Sequence, residues 1–248
     1  MNMARRKYHN YNPVPLLLLV AMAGAEPDVV IPGYRVHRID VGSNAYLIEA
    51  ESTLVLVDAG YPGRAKKILR RISSFKPKEL VLIFLTHGHF DHYGSAGKVR
   101  EATGADIGVH VLDSPAVVNG KTPIKKTRNG GAFGRMVLPL AHRLLRNKGA
   151  EVDTAFRHGD SLRGYGVDAA VVHTPGHTAG SCSLLLSGGV LFSGDLLSTA
   201  FGVQKQKWYA SDWAQIDTSI AAIKQLHPAI LCPGHGKRLL TSDDMEGL

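Results

Sequence analysis

The stretch Leu80-Val81-Leu82-Ile83-Phe84-Leu85-Thr86-His87-Gly88-His89-Phe90-Asp91-His92 decides the fold. It opens as an unbroken apolar run, short for a helix, and reads as a strand buried on both faces. Three histidines and an aspartate follow at once. In extended chain alternate side chains share a face, so His87 and His89 point the same way and both imidazoles can reach one metal ion. Gly88 leaves that point uncrowded. A helix starting near Asp91 would turn Asp91 and His92 toward a second point. One short segment thus offers ligands to two ions. Imidazole with carboxylate suits zinc, iron or manganese better than calcium or magnesium.

Working outward, Tyr34 to Asp40 and Ala45 to Glu49 alternate in polarity around Gly42-Ser43-Asn44, the pattern of a hairpin. Thr53 to Val57 is a further strand ending at Asp58-Ala59-Gly60. Pro62 can open a helix in which Ile68, Leu69, Ile72 and Phe75 share a face. A helix is expected over Gly94 to Thr103, then strands at Val167 to Val172, Ser183 to Leu186 and Val190 to Phe192. A helix capped near Asp212 would bury Ile216, Ile220, Ile223 and Leu226, and Ala229 to Cys232 forms a last strand. Strands alternate with helices, yet several strands are sequence neighbours. The fold class is therefore α/β, with mixed sheets and helices packed outside.

Three more candidate ligands follow apolar strands and sit among small residues: His177 in Thr174-Pro175-Gly176-His177, Asp195 in Phe192-Ser193-Gly194-Asp195, and His235 in Cys232-Pro233-Gly234-His235. Shaped loops at strand ends are where catalytic side chains tend to be mounted. A lone His after Pro-Gly is more often a turn residue. Four such signals together point to metal binding.

This set, a His-x-His-x-Asp-His motif with a later His, an Asp and a final His, resembles the metallo-β-lactamase superfamily. The likeness spans Asp58 to His235. It implies a four-layer αβ/βα sandwich of two mixed sheets, with metals at one edge. It also implies that His87, His89 and His177 hold one metal, that Asp91, His92 and His235 hold a second, and that Asp195 bridges them. Asp58 resembles the family's carboxylate that orients a ligand imidazole. His110, His142, His173 and His227 match no motif. The implied chemistry is hydrolysis: two divalent ions, zinc first and iron or manganese otherwise, share a hydroxide that attacks a carbonyl or phosphoryl centre. Asp91 would also pass a proton to the leaving group.

Specificity is less sharply drawn. Metallo-β-lactamases proper usually carry Cys or Ser at the position of Asp195, so the aspartate resembles the glyoxalase II, lactonase and phosphodiesterase branches. Only 13 residues follow His235, and the expectation is that the glutathione-gripping helical domain of glyoxalase II is absent. Lactonases of this size often place a Tyr three residues after the aspartate; here that residue is Ser198, with Tyr209 nearby. We therefore expect cleavage of an ester, thioester or lactone, with a phosphodiesterase or nuclease as the alternative. A mononuclear iron persulfide dioxygenase and a β-lactamase rank lower.

The chain carries 29 Lys and Arg against 21 Asp and Glu, a net charge of +8. The stretch Asn119 to Lys148 holds cations, including Lys125, Lys126 and Arg128, and no acidic residue. It is expected to belong to an insertion or lid over 109–153 that draws in a small anionic substrate; nucleic acid stays open as a partner. Two cysteines, Cys182 and Cys232, are too few for a disulfide framework and read as buried thiols. Ordinary composition excludes long disorder and fibrous repeats. Residues 1–33 read as an N-terminal arm packed on the domain or on a second copy in a homodimer, ahead of a hydrolase domain at 34–248. Arg5-Arg6-Lys7 before the apolar run Leu16 to Ala25 also resembles a signal segment. No segment is long enough to span a bilayer. A cytoplasmic location is expected, with export as the alternative if that segment is cleaved.

Overall fold

The computed structural model describes residues 28–122, 126–128, 136 and 148–248. Most of the expected arm therefore lies outside the described residues, as do Lys125 and His142.

The chain enters the fold as an antiparallel meander: β1 (Asp28–Ile31), β2 (Tyr34–Asp40), β3 (Asn44–Glu49) and β4 (Thr53–Val57). Helix α1 (Ala65–Ser73) then leads to β5 (Glu79–Leu85), which runs parallel to β4. A single turn, α2 (Phe90–Tyr93), precedes α3 (Ala96–Thr103), β6 (Asp106–His110) and α4 (Ser114–Val118). Strand β7 (Lys126–Thr127) stands apart, and β8 (Thr154–Phe156) returns beside β6. The first sheet thus has the order β1-β2-β3-β4-β5-β6-β8.

The second half supplies β9 (Ala169–His173), β10 (Cys182–Leu186), β11 (Val190–Ser198), β12 (Gln204–Lys205), β13 (Tyr209–Ala210), α5 (Trp213–Lys224), β14 (Ile230–His235), β15 (Leu240–Thr241) and α6 (Ser242–Glu246). Its sheet runs β15-β14-β11-β10-β9, with β12 on β11. Strands β13 and β7 form a separate antiparallel pair.

Strand alternation sorts these residues into layers. From β5, Leu82 and Phe84 enter the core between the sheets, where they meet Leu184, Leu186 and Phe192. Ile83 and Leu85 face the other way, against Ile68, Ile72 and Val99 of α1 and α3. In the second sheet Leu185, Leu191 and Leu231 pack against Ile216, Ile220 and Ile223 of α5. Each fully buried Leu or Ile is worth about 1.5–3 kcal/mol. The result is the expected αβ/βα sandwich, and the Leu80 to Leu85 run is apolar throughout because both faces are covered. Asp212 caps α5 by accepting from the Ala214 amide. Cys182 and Cys232 are free, buried thiols.

Two expected boundaries are corrected. Pro32-Gly33, with Gly33 at φ +82°, closes a tight turn, so residues 28–33 of the expected arm belong to the first sheet rather than preceding the domain. A left-handed Gly is what the third position of a type II turn requires, and Pro suits the position before it. The expected insertion from 109 also starts too early. Val109 pairs with Leu85, and Val109 and Val117 are fully buried. The frame therefore continues through α4. Among the described residues the cationic part begins at Lys121.

Candidate metal centre

The mouth of the sandwich is built from strand ends of both sheets. Strands β4 and β5 deliver Asp58 and His87 to His92, while β9, β11 and β14 deliver His177, Asp195 and His235. Gly194, at φ +51°, interrupts the β11–β14 register and turns Asp195 into the mouth.

The seven expected ligands fall into overlapping groups: His87, His89 and His177; His87, His92 and Asp195; Asp91, His92 and His235. Within each group the ligand atoms lie within 4.8 Å of one another. Asp195 stands between the outer groups. Its Oδ2 lies 3.6 Å from His177 Nε2, and its Oδ1 lies 3.1 Å from His92 Nε2 and 3.3 Å from His235 Nε2.

Hydrogen bonds assign the imidazole protons. Asp58 Oδ2 can only accept, so His92 Nδ1, 2.8 Å away, carries a proton toward it. Thr86 Oγ1 donates to Asp58 and accepts from His87 Nδ1 at 3.0 Å. The Tyr209 carbonyl accepts from His177 Nδ1 at 3.0 Å. In each neutral ring the lone pair is left on Nε2, facing the mouth. One carboxylate, Asp58, sets the tautomer in both halves: directly at His92 and through Thr86 at His87.

Two buried atoms then lack aligned partners. His87 Nε2 is buried with no hydrogen bond, and Asp195 Oδ1 is buried without an aligned one despite its close histidines. His89 Nδ1 and His177 Nε2 face each other at 2.9 Å. Buried acceptors left this way are costly, and a divalent cation accounts for both of them and for the facing nitrogens. The residues fit such an ion, since imidazole and carboxylate are the donors transition metals take.

Electrostatics divide the mouth. Burial, then the neighbouring His92, His177 and His89, holds His87 well below its ordinary pKa. Burial, then His89, takes His177 down to about 3. His92 and His235 go the other way: burial opposes their charge, but Asp195 with Asp58 and Asp91 outweighs it at His92, and Asp195 with Asp91 lifts His235 to about 10. Burial opposes ionisation of Asp91 too, yet His92 and His235 bring it down to about 2.

Sequence reasoning missed four residues here. Ser43 donates to the Asp91 carbonyl. Buried Asn44 donates to the carbonyls of Pro233 at 2.9 Å and Gly236 at 2.6 Å. The Gly42-Ser43-Asn44 turn is therefore a strut for both sides of the mouth. Tyr61 packs edge-on to Phe90, and burial, then the Asp91 and Asp195 charges, raises its phenol pKa. Asp113 accepts from Gly88, Thr178 and Gly180. Tyr61 follows the Asp58-Ala59-Gly60 strand end, a signal that could have found it; Ser43, Asn44 and Asp113 carry no comparable signal.

Of the expected substrate contacts, Tyr209 lies at the site through its carbonyl, and Asp91 raises its phenol pKa after burial. Lys126 and Arg128 sit on or beside β7, paired to β13, so they flank the His177 loop. Arg128 lies over the Trp213 ring at 4.6 Å. His110 and His173 stack on one another, apart from the three ligand groups.

A family model described as the metallo-beta-lactamase superfamily matches residues 38–235. The chain belongs to the metallo-β-lactamase superfamily. Among its relatives in that superfamily, the "Probable metallo-hydrolase YflN" of Bacillus subtilis (strain 168) is 28% identical over 244 residues, covering 90% of each chain. An uncharacterized protein of Aquifex aeolicus is 30% identical over 175 residues, covering 68% of this chain and 74% of that one. Of solved structures, the BLEG-1 B3 metallo-β-lactamase matches with TM-score 0.67 at 25% identity, covering 86% of this chain and 97% of that one. A metallo-β-lactamase family protein from Thermus thermophilus matches with TM-score 0.65 at 21% identity, covering 88% of this chain and 78% of that one, a likeness of fold. Superfamily members typically bind divalent metals, and the His and Asp groups of this chain could hold them.

Proposed function

We propose that this metal-dependent hydrolase uses two divalent ions, zinc first among them, to cleave an ester, thioester or lactone bond in a small anionic substrate. The observation that carries the reading is Asp195, whose two oxygens address His177 on one side and His92 with His235 on the other. One ion would sit with His87, His89 and His177, the other with Asp91, His92 and His235, and Asp195 would serve both. When bound, the ions supply Lewis acidity, which brings the pKa of water near neutrality and polarises the electrophile's oxygen.

The chain's own groups do the rest. Asp58 and the Tyr209 carbonyl take the Nδ1 protons of His92 and His177, which turns Nε2 of each ring toward the mouth. Asp91, ionised at neutral pH, accepts the proton released as water attacks and returns it to the leaving oxygen or sulfur. Tyr61 and Tyr209, whose phenols feel the Asp91 charge, would offer O–H donors to a substrate carbonyl. The cations Lys126 and Arg128, beside the His177 loop, favour an anionic substrate and support phosphodiester cleavage as a second reading.

The test is metal quantification joined to a panel of thioester, lactone, phosphodiester and β-lactam substrates. Two zinc-like ions per chain with carbonyl-ester turnover is the expected result. One iron per chain, or turnover confined to the β-lactam, would refute the reading. Asp91→Asn should lower turnover by about 10²–10⁴-fold; an unchanged rate removes Asp91 from the mechanism.

A further inference from the structure

Asp113 is 2% exposed and belongs to none of the three ligand groups. Its carboxylate lies between two ligand-bearing loops. Oδ2 accepts from the Gly88 amide at 2.8 Å, between His87 and His89. The same oxygen accepts from Thr178 Oγ1 at 2.6 Å, next to His177. Oδ1 accepts from the Gly180 amide at 2.8 Å. A Cβ at Gly180 would fall 2.6 Å from the Asp113 carboxyl, so only glycine lets this backbone come so close. Among the described residues no Lys or Arg pairs with this buried charge, so neutral donors alone hold it in place. A buried carboxylate without its donors is unfavourable enough that these loops are held where it needs them.

We infer that Asp113 is a positioning residue for one ion alone: it buckles the His87-Gly88-His89 loop to the His177 loop and so sets the spacing of the all-histidine triad. Among the described residues no hydrogen bond of its carboxylate goes to Asp91, His92 or His235. Asp58, by contrast, reaches both halves through His92 and Thr86. Asparagine at 113 keeps the size but has one acceptor oxygen where three donors converge, and its amide N–H groups oppose a donor.

The inference rests on the two-ion reading, and the test separates the two. The full chain, stripped with a chelator, is titrated with zinc against a chromophoric competitor. His177→Ala and His235→Ala assign the two uptake steps. Asp113→Asn should weaken the His177 step about 10–100-fold, the usual effect of losing an outer partner, and leave the His235 step within about threefold. Asp58→Asn should weaken both. If Asp113→Asn leaves the His177 step unchanged, or weakens both steps alike, the inference is overturned. A wild-type chain taking up one ion sinks the two-ion reading, while Asp113 is still judged on whether that step depends on it. No uptake at all overturns both. Should Asp113→Asn fail to fold, Thr178→Val replaces it, with a smaller loss at the same step and rescue by Thr178→Ser; equal behaviour of the two Thr178 variants counts against the inference.

Discussion

Adding a single methyl group at Gly234 probes the centre most directly. Gly234 has no left-handed backbone, so alanine brings no conformational strain of its own. Its Cβ would stand 2.3 Å from Asp195 Oδ1, and 2.9 Å and 3.0 Å from the carbon and oxygen of the Gly194 carbonyl. Ordinary contact begins at 3.4 Å, so the carboxylate must retreat by about 1 Å. The Gly194 backbone cannot follow freely, because it lies on the neighbouring paired strand. Overpacking of this kind costs about 1–3 kcal/mol, a fall of about 2–4 °C in melting temperature per kcal/mol for a chain of this size. Metal sites tolerate about 0.2 Å, so Gly234→Ala should weaken uptake at both steps, and turnover should fall about a hundredfold. Zinc titration and thermal melting of the same sample decide it. If Gly234→Ala melts with the wild type and binds zinc with its affinity, Asp195 does not stand where the centre needs it.

Three further outcomes are expected. Asp58→Asn removes a buried, charge-assisted acceptor from His92 and disturbs Thr86; zinc affinity should fall about 10–100-fold, and unchanged affinity would contradict its place in both halves. Asn44→Ala strands the Gly236 carbonyl, leaves the Pro233 carbonyl to the Tyr46 hydroxyl alone and takes an acceptor from Arg38; it should cost about 1–3 kcal/mol in urea unfolding, and a loss under 0.5 kcal/mol, roughly that of a neutral surface change, would refute the strut. Burial, then the stacked His173, takes His110 from 6.5 down to about 4. A depressed histidine contributes full stability above its unfolded value of 6.5 and loses it as pH falls from there toward 4. Metal-stripped wild type should therefore lose melting temperature more steeply across that window than His110→Gln, and superimposable profiles would remove His110 from the account.

How much of this was legible in the chain depends on the range of each interaction. His87 to His92, His177, Asp195 and His235 announce themselves locally, because each follows an apolar strand and sits among residues too small to crowd it. The layers were legible for the same reason: Leu80 to Leu85 is apolar without a break only if both faces are covered. Asn44 could not be read as more than a turn residue, since its acceptor at Pro233 lies 189 residues away. Asp113 was hidden in a stretch judged by charge, although Val109 and Val117 around it are core. Residues 28–31 read as arm in the sequence because a strand of four residues before Pro-Gly has too little pattern to register.

Each of the outer triads draws on both sheets: His177 joins His87 and His89, and His235 joins Asp91 and His92. Neither half of the chain carries a complete set, so an ion seated in either triad is a staple across the open edge of the sandwich. A divalent ion bound there would add stability that rises with the logarithm of its free concentration, so metal supply would bear on the chain's lifetime as well as on its chemistry.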